Sequence, residues 1–435
     1  MTPSLHKIRP HAAGIDMGSE EFFLAIEDQP VRRFETFTQG LIEAVAYLKA
    51  HHIETVALEA TGVYWIPLFE QLEAASIEVC LVNGAHVKRV PGRKSDVADC
   101  QWLQQLHSYG LLSPGFIPEE AIRTLRHYWR LREDHIEMAA THIQHMQKAL
   151  ELMNLKLHKV ISQLTGKTGL RIIEAILAGE RDPARLVDLC DGRIQRHKRD
   201  RIMAALEGHY KAEQLFALRQ GYAGWGFYQE QIKQCDAAIA AWLAQETAEL
   251  PDQPTSGPVK AIRHNAPQIE DLHGQLMKLT GGSDPTVLPC INDRTLLALV
   301  AETGLEMSKW PSEKHFSAWL GLSPRTDQSG KRRRKRRVKH ANRAGQLFRE
   351  SAQSLAQSKY LALGGFYRRV RARHGAAVAV KASARKLAVL YYRLMRYGVA
   401  YVEQGLAAYE QQYKQERIAS LRKQAKALGL QVVVA

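Results

Sequence analysis

Cysteine is scarce in this chain. Its 435 residues contain five, Cys80, Cys100, Cys190, Cys235 and Cys290, and no two lie close together. The absence of any CxxC pair or Cys/His cluster excludes a zinc-ribbon site and a disulfide framework. Scattered single thiols read as buried groups in a reducing compartment. Long apolar runs are missing as well. No stretch of about 18 apolar residues occurs, and the opening MTPSLHKIRPHAAG has no apolar core. The expectation is a cytoplasmic protein without a membrane partner. Negative charge is in deficit too, with 45 Asp and Glu against 60 Lys and Arg, a formal net charge of +15. Such a surplus favours a polyanionic partner over small neutral metabolites. Aromatic residues make up only 8%, yet 45% hydrophobic residues suffice for ordinary cores in two or three domains.

Three regions follow from the patterning, with boundaries at 1–112, 113–277 and 278–435. In the first, Ala12–Asp16 and Phe22–Ile26 read as a hairpin around a Gly-Ser turn, and Arg32–Phe37 as a third strand. A helix over Leu41–His51, a strand over Thr55–Leu58, a helix over Tyr64–Ala75, a strand over Ile77–Val82 and a helix over Asp96–Tyr109 complete the order βββαβαβα. That order predicts an α/β RNase H-like domain, a mixed sheet covered by helices. Ser113-Pro114-Gly115 then breaks the pattern. Beyond it Ile122, Trp129, Ile136, Ile143, Leu150 and Leu157 fall seven apart, and Leu125, Ala139, Met146, Met153 and Val160 supply a second row. Only Arg132 is out of character there. The repeat predicts a long helix, either in a coiled coil that joins subunits or packed within its own subunit. Pro251, Pro254, Ser256, Gly257 and Pro258 form a linker-like stretch, and a mainly α-helical domain follows.

Four carboxylates stand at telling places in the first region. Asp16 ends the first strand, and Glu59 ends the fourth in the segment LEATG. Strands of one sheet that stop at the same edge can place these two side chains together. Asp96 and Asp99 are three apart on a helix and share a face, at a small cost unless a cation lies between them. Carboxylate oxygens suit hard magnesium or manganese, and paired ions can clamp both oxygens of a phosphodiester displacement. A plainer reading stands beside this one, with Asp96 as an N-cap, Asp99 as its capping-box partner, and Asp16 and Glu59 as a turn residue and a surface charge. Lys88, Arg89, Arg93 and Lys94, just before the acidic helix, are candidates for phosphate contact or a solvated basic loop.

The C-terminal region holds seven consecutive cations, Lys331, Arg332, Arg333, Arg334, Lys335, Arg336 and Arg337. They cannot form one face of a helix, so they read as a loop or arm tracking a phosphate backbone. Ser329 lies directly before the run, and a hydroxyl there can attack a phosphodiester. Ser-Gly is also common in turns. Ser323 competes, although its Leu-Ser-Pro setting suits a turn cap.

At these residues the chain resembles the DEDD transposases of the insertion-sequence family numbered one hundred and ten, in its eleven-eleven subgroup. GIDMGSEEF, ALEATGVYW and VNGAHVKRVPGRKSDVADCQWL are similar to that family's RuvC-like motifs, and IPEEAIRTLRHYWRLRE to its coiled-coil entry. AWLGLSPRTDQSGK and KHANRAGQLFRESAQSLA are similar to its C-terminal transposase domain. The resemblance implies that Asp16, Glu59, Asp96 and Asp99 are metal ligands and that Ser329 is a nucleophile forming a phosphoserine link to DNA. It further implies donor and target DNA as substrates, a structured bridge RNA from the element as guide, and a dimer of dimers in the bacterial nucleoid. Lys339, Asn342 and Arg343 join the nucleic-acid contacts, in the segment Lys339-His340-Ala341-Asn342 that stands in place of the family's Lys-x-Gly-Asn. Two departures stand out: LPCINDRT lacks the glycines of the family's helical hairpin, and Ala341 stands where the family's motif has glycine; the middle region is also longer. Two rivals remain, a resolvase-like nuclease using metal-activated water and a non-catalytic nucleic-acid-binding protein.

Overall fold

A computed structural model of the chain describes residues 6–84, 95–254, 258–330, 332–336, 342–358 and 361–398, with short pieces of helix between 411 and 427. The chain divides into two compact units, Met1–Ile117 and Pro118–Ala435. Among the described residues no helix is long and apolar enough to cross a membrane.

The first unit contains β1 (Ala12–Met17), β2 (Glu21–Ile26), β3 (Arg32–Glu35), α1 (Thr38–Ala50), β4 (Thr55–Glu59), α2 (Trp65–Ala74), β5 (Glu78–Val82) and α3 (Asp96–Ser108). The strands form one sheet in the order β3-β2-β1-β4-β5. β1 and β2, and β2 and β3, pair antiparallel, while β1, β4 and β5 run parallel. This is the mixed sheet expected of an RNase H-like domain. Alternation divides its two faces. Ala13, Ile15 and Met17 of β1 and Val56 and Leu58 of β4 pack with Leu41, Ala44 and Leu48 of α1 and Leu68, Phe69 and Leu72 of α2. On the opposite face Ala57, Cys80 and Val82 meet Leu103 of α3.

Helix α3 comes unusually close to the sheet. A Cβ on Gly14 would lie 2.3 Å from the Cys100 carbonyl oxygen and 2.3 Å from the Gln104 amide nitrogen, so the crossing requires glycine. Gln104 Nε2 donates to the Ala12 carbonyl at 3.3 Å. Farther along, His107 is fully buried, with Nε2 2.9 Å from Thr55 Oγ1 and Nδ1 3.1 Å from Arg9 Nη1. A guanidinium only donates, so Nδ1 accepts and Nε2 carries the proton. Burial first, and the Arg9 charge second, push the His107 pKa down to about 4.

The second unit begins with α4 (Glu120–Leu152), followed by α5 (Leu157–Val160), α6 (Lys167–Ala178), α7 (Pro183–Asp188), α8 (Gly192–Leu206) and the long α9 (Ala212–Thr247). Gly221 lies against Met146, and Gly224 lies against His142. Arg132 meets Asp236, so α9 runs back along α4 in the opposite direction. The heptad rows of α4 are therefore covered by a helix of the same chain. This is the packing within one subunit that the repeat left open. The repeat alone does not say which helix fills the seam, and here the chain returns to fill it. The short helices α5–α8 close a core containing Leu157, Ile172, Ile173, Ile176, Leu186 and Ile202.

Arg132, the odd member of the heptad, is the hinge of this packing. Its side chain and that of Asp236 are each 1% exposed, with Nε 2.5 Å from Oδ1. Nη2 reaches Asp236 Oδ2 at 3.4 Å and the Asn265 carbonyl at 3.1 Å, and the Gln268 amide donates to Asp236 at 3.0 Å.

The remainder comprises α10 (Leu272–Leu279), α11 (Asp293–Thr303), α12 (Glu313–Trp319), the hairpin β6 (Arg325–Ser329) and β7 (Arg332–Arg336), α13 (Arg343–Gln353), α14 (Leu361–His374) and α15 (Ala376–Tyr397). Phe316, Phe348, Tyr391 and Tyr392 form its aromatic centre. Arg130 holds Glu302 with two hydrogen bonds of 2.8 and 2.7 Å, tying α11 to α4. One expectation needs correction here. Arg332–Arg336 is a strand and not a loop or arm. Gly330, at φ +58°, turns the chain back onto β6, and backbone pairing sustains a strand that its charged side chains would not suggest.

Three outcomes follow from this packing. Gly14→Ala should destabilise the first unit by about 1–3 kcal/mol, because the new methyl meets main chain that cannot rotate aside. An unchanged denaturation midpoint would contradict the close crossing. His107 is neutral when folded, whereas the unfolded chain binds the proton below its ordinary value near 6.5. Stability should therefore be full above pH 6.5 and fall as pH drops toward 4, by roughly 3 kcal/mol. Urea titrations across that window should show the fall reduced in His107→Gln. Finally, Arg132→Met strands a buried carboxylate and should cost about 3–5 kcal/mol, most of it recovered by adding Asp236→Leu. Equal losses in the single and double variants would show the pair to be unimportant.

Candidate active site

Asp16 and Glu59 reach the same edge of the sheet for a backbone reason. β1 and β4 are parallel and pair Ile15 with Leu58, and the next step along both strands sets Asp16 beside Glu59. Alternation puts both on the face that α3 covers. Glu59 is buried and Asp16 half-buried. Thr61 Oγ1 donates to Glu59 Oε1 at 3.3 Å. Gly84 lies against the same carboxylate, where a Cβ would fall 2.0 Å from Oε1.

Helix α3 brings the other two acids. Its N-cap is Ser95, whose hydroxyl accepts from the Ala98 amide at 3.2 Å. The plainer reading, in which Asp96 is the cap, is thereby corrected. Ser95 takes that task, and Asp96 and Asp99 stand in the first turn, where the helix dipole favours negative charge. Asp96 is exposed and Asp99 half-buried. Cys100 lies among them. Burial foremost, then the Asp16 charge, with a smaller part from Asp99, push its thiol up to about 12, so it is neutral and no nucleophile.

The four acids line one cleft of about 450 Å³, together with Glu20, Glu21, Ser19 and Thr61. Glu21 is paired with Arg33 at 2.5 Å. Among the described residues, no three His, Cys, Asp or Glu side chains are drawn together tightly enough to hold an ion as they stand. The acids line the cleft and do not meet at a point. Their chemistry nevertheless fits a hard divalent cation, since every donor is a carboxylate or hydroxyl oxygen. Lys88, Arg89, Arg93 and Lys94 lie outside the described residues.

Ser329 belongs to the second unit. The hairpin register sets it opposite Arg332, with Asp327 opposite Arg334 and Arg325 opposite Arg336. Gly330 follows it in the turn. Ser323 sits where the chain leaves α12, and its amide donates to the Ser317 carbonyl at 3.2 Å, a helix-end turn as its sequence suggested. Asn342 caps α13, accepting from the Gly345 amide at 2.7 Å and donating to the Trp319 carbonyl at 3.1 Å. Arg343 is exposed beside it. Lys331, Arg337 and Lys339 lie outside the described residues.

Sequence reasoning passed over Gly14, Thr61, Gly84 and Ser95, the residues that support the acids. Gly14 and Thr61 each lie two positions from one of the acids, and Ser95 directly precedes Asp96. Gly84 has no such signal, because it meets Glu59 only through the pairing of β4 with β5.

Comparison with known proteins agrees with this geometry. Residues 13–155 match a transposase family described as DEDD transposase of IS110, a span that includes all four acids. Residues 286–367 match the transposase domain of the IS116/IS110/IS902 family, a span that includes the hairpin. No curated protein matches the chain. The two matches together cover more than half of the sequence, and both are transposase domains. The chain belongs to the IS110 family of transposases, enzymes that cleave DNA and transfer its strands.

Proposed function

We propose that this transposase exchanges strands between donor and target DNA through a phosphoserine intermediate at Ser329, guided by an RNA from its own element. The observation that carries the reading is the sheet-edge cleft, where Asp16, Glu59, Asp96 and Asp99 line one cavity. These four residues would hold magnesium or manganese, which when bound supplies positive charge to the phosphate oxygens and the leaving group. Thr61 orients Glu59 within that set.

Ser329 takes the nucleophile's role. Its Oγ bonds to phosphorus as the bond from phosphorus to a deoxyribose oxygen breaks, and the hydroxyl proton passes to that leaving oxygen. A terminal hydroxyl of the second strand then attacks the phosphoserine, and Oγ regains a proton. Phosphodiester energy is kept throughout, so joining needs no external source. The Arg332–Arg336 strand supplies phosphate contacts beside the serine. Acids and serine lie in different units of the fold, which is compatible with a homo-oligomer, a dimer of dimers, in which subunits share sites.

Ser329→Ala should abolish a covalent protein–DNA adduct on a denaturing gel while changing DNA affinity by only about one hydrogen bond, ~0.5–1.5 kcal/mol. Asp99→Asn should abolish cleavage with nucleic-acid binding retained. An adduct surviving in Ser329→Ala moves the nucleophile to Ser323 or another hydroxyl. Metal-dependent cleavage by wild type with no adduct at all favours activated water. RNA that copurifies with the protein, once sequenced, tests the guide.

A further inference from the structure

Helix α8 lies between the two family matches, in a stretch of the chain to which neither assigns a role. Its sequence, GRIQRHKRDRIMAAL, is the most basic of any helix in the middle region. The helix has two faces. Ile202, Ala205 and Leu206 are buried, fixing α8 against the short-helix core. Lys198 is engaged by the Val160 carbonyl at 2.9 Å and Arg199 by Asp188 at 2.7 Å. The remaining cations, Arg193, Arg196 and Arg201, are exposed, with His197 among them. Three and five residues apart, they spread over about 140° of the helix surface, on the side away from Ile202 and Leu206. Among the described residues none of these three arginines forms an ion pair, and Asp200 is the one acid on the helix.

Three arginines without an ion pair, spread over about 12 Å of a packed helix, form a predominantly cationic face. A solvated face on a soluble helix ordinarily mixes both signs evenly, whereas here exposed Asp200 alone stands among the three arginines. We infer that the exposed face of α8 binds the phosphate backbone of duplex DNA. Double-stranded DNA fits better than RNA on shape. The B-form major groove, about 12 Å wide, admits a helix, whereas the A-form major groove is deep and narrow. Arginine also matches phosphate with two parallel hydrogen bonds. The contact is independent of sequence, and it holds DNA outside the reacting site whether or not an RNA guide takes part.

The test uses the full chain and fluorescence anisotropy across about 50–200 mM salt, with a duplex DNA and an RNA duplex of the same sequence. The triple variant Arg193→Gln, Arg196→Gln, Arg201→Gln should lose roughly a hundredfold in DNA affinity near 0.1 M salt. Its log-log salt slope should become less negative by about 3, while RNA binding stays within a few-fold. Asp200→Asn, which removes the one acid within the helix, should raise DNA affinity several-fold and guards against a folding defect in the triple variant. Unchanged DNA affinity in both variants overturns the proposal. A loss confined to RNA, or equal for both duplexes, overturns the assignment to DNA.

Discussion

The close crossing of α3 over β1 at Gly14 is the contact on which the acidic cleft depends. The Cys100 carbonyl and Gln104 amide approach the strand so nearly that no side chain fits between them. Helix and strand are therefore in backbone contact, and a helix so seated cannot slide or roll without a steric clash. Its first turn, with Asp96 and Asp99, is fixed over the edge where Asp16 and Glu59 end their strands. Leu103 and the bonds of Gln104 and His107 hold the rest of the helix down. Buried Leu103 contributes ~1.5–3 kcal/mol to this seating, more than the few tenths that repulsion between Asp96 and Asp99 costs. Packing therefore wins, and like charges can be held together on a stable sheet.

That concentration of negative charge sits in a chain with a net charge of +15. Each sign is concentrated locally. Asp16, Glu20, Glu21, Glu59, Asp96 and Asp99 gather at one cleft, while cations gather along β7 and α8. A polyanionic substrate would be drawn to the cationic elements and repelled by the cleft until a cation entered it.

Much of the first unit was legible in the sequence because its elements obey simple periods. Ile15 and Leu58 sit in short alternating or buried runs, and the helices show the 3.6-residue stripe. The candidate ligands were legible as strand ends and as a three-residue spacing. What stayed hidden was whatever depends on a distant partner. Gly84 beside Glu59 is a matter of strand pairing, and Arg132 looked like a flaw in the heptad because Asp236 lies 104 residues away. The basic run misled for a different reason. Five charged residues have poor strand propensity, and only the turn at Gly330 and pairing with β6 make them a strand.

The Arg132–Asp236 pair bears on why the long helices pair in one way. An apolar seam alone tolerates slippage by a heptad, since Trp129, Ala139, Met146 and Leu150 would meet other apolar residues after a shift. A buried ion pair does not tolerate it. Moving α9 by one heptad would leave a guanidinium and a carboxylate unpaired in an interior where each costs several kcal/mol. The pair adds little stability over apolar residues of the same size, yet it removes the competing registers. Bonds from Arg132 to Asn265 and from Gln268 to Asp236 carry that register into the segment that leads to α10. Through Arg130 and Glu302, α4 then fixes α11, the helix that opens the C-terminal transposase domain. One polar residue in an apolar row thus sets the alignment of the helices on which the domain of the β6–β7 hairpin is built.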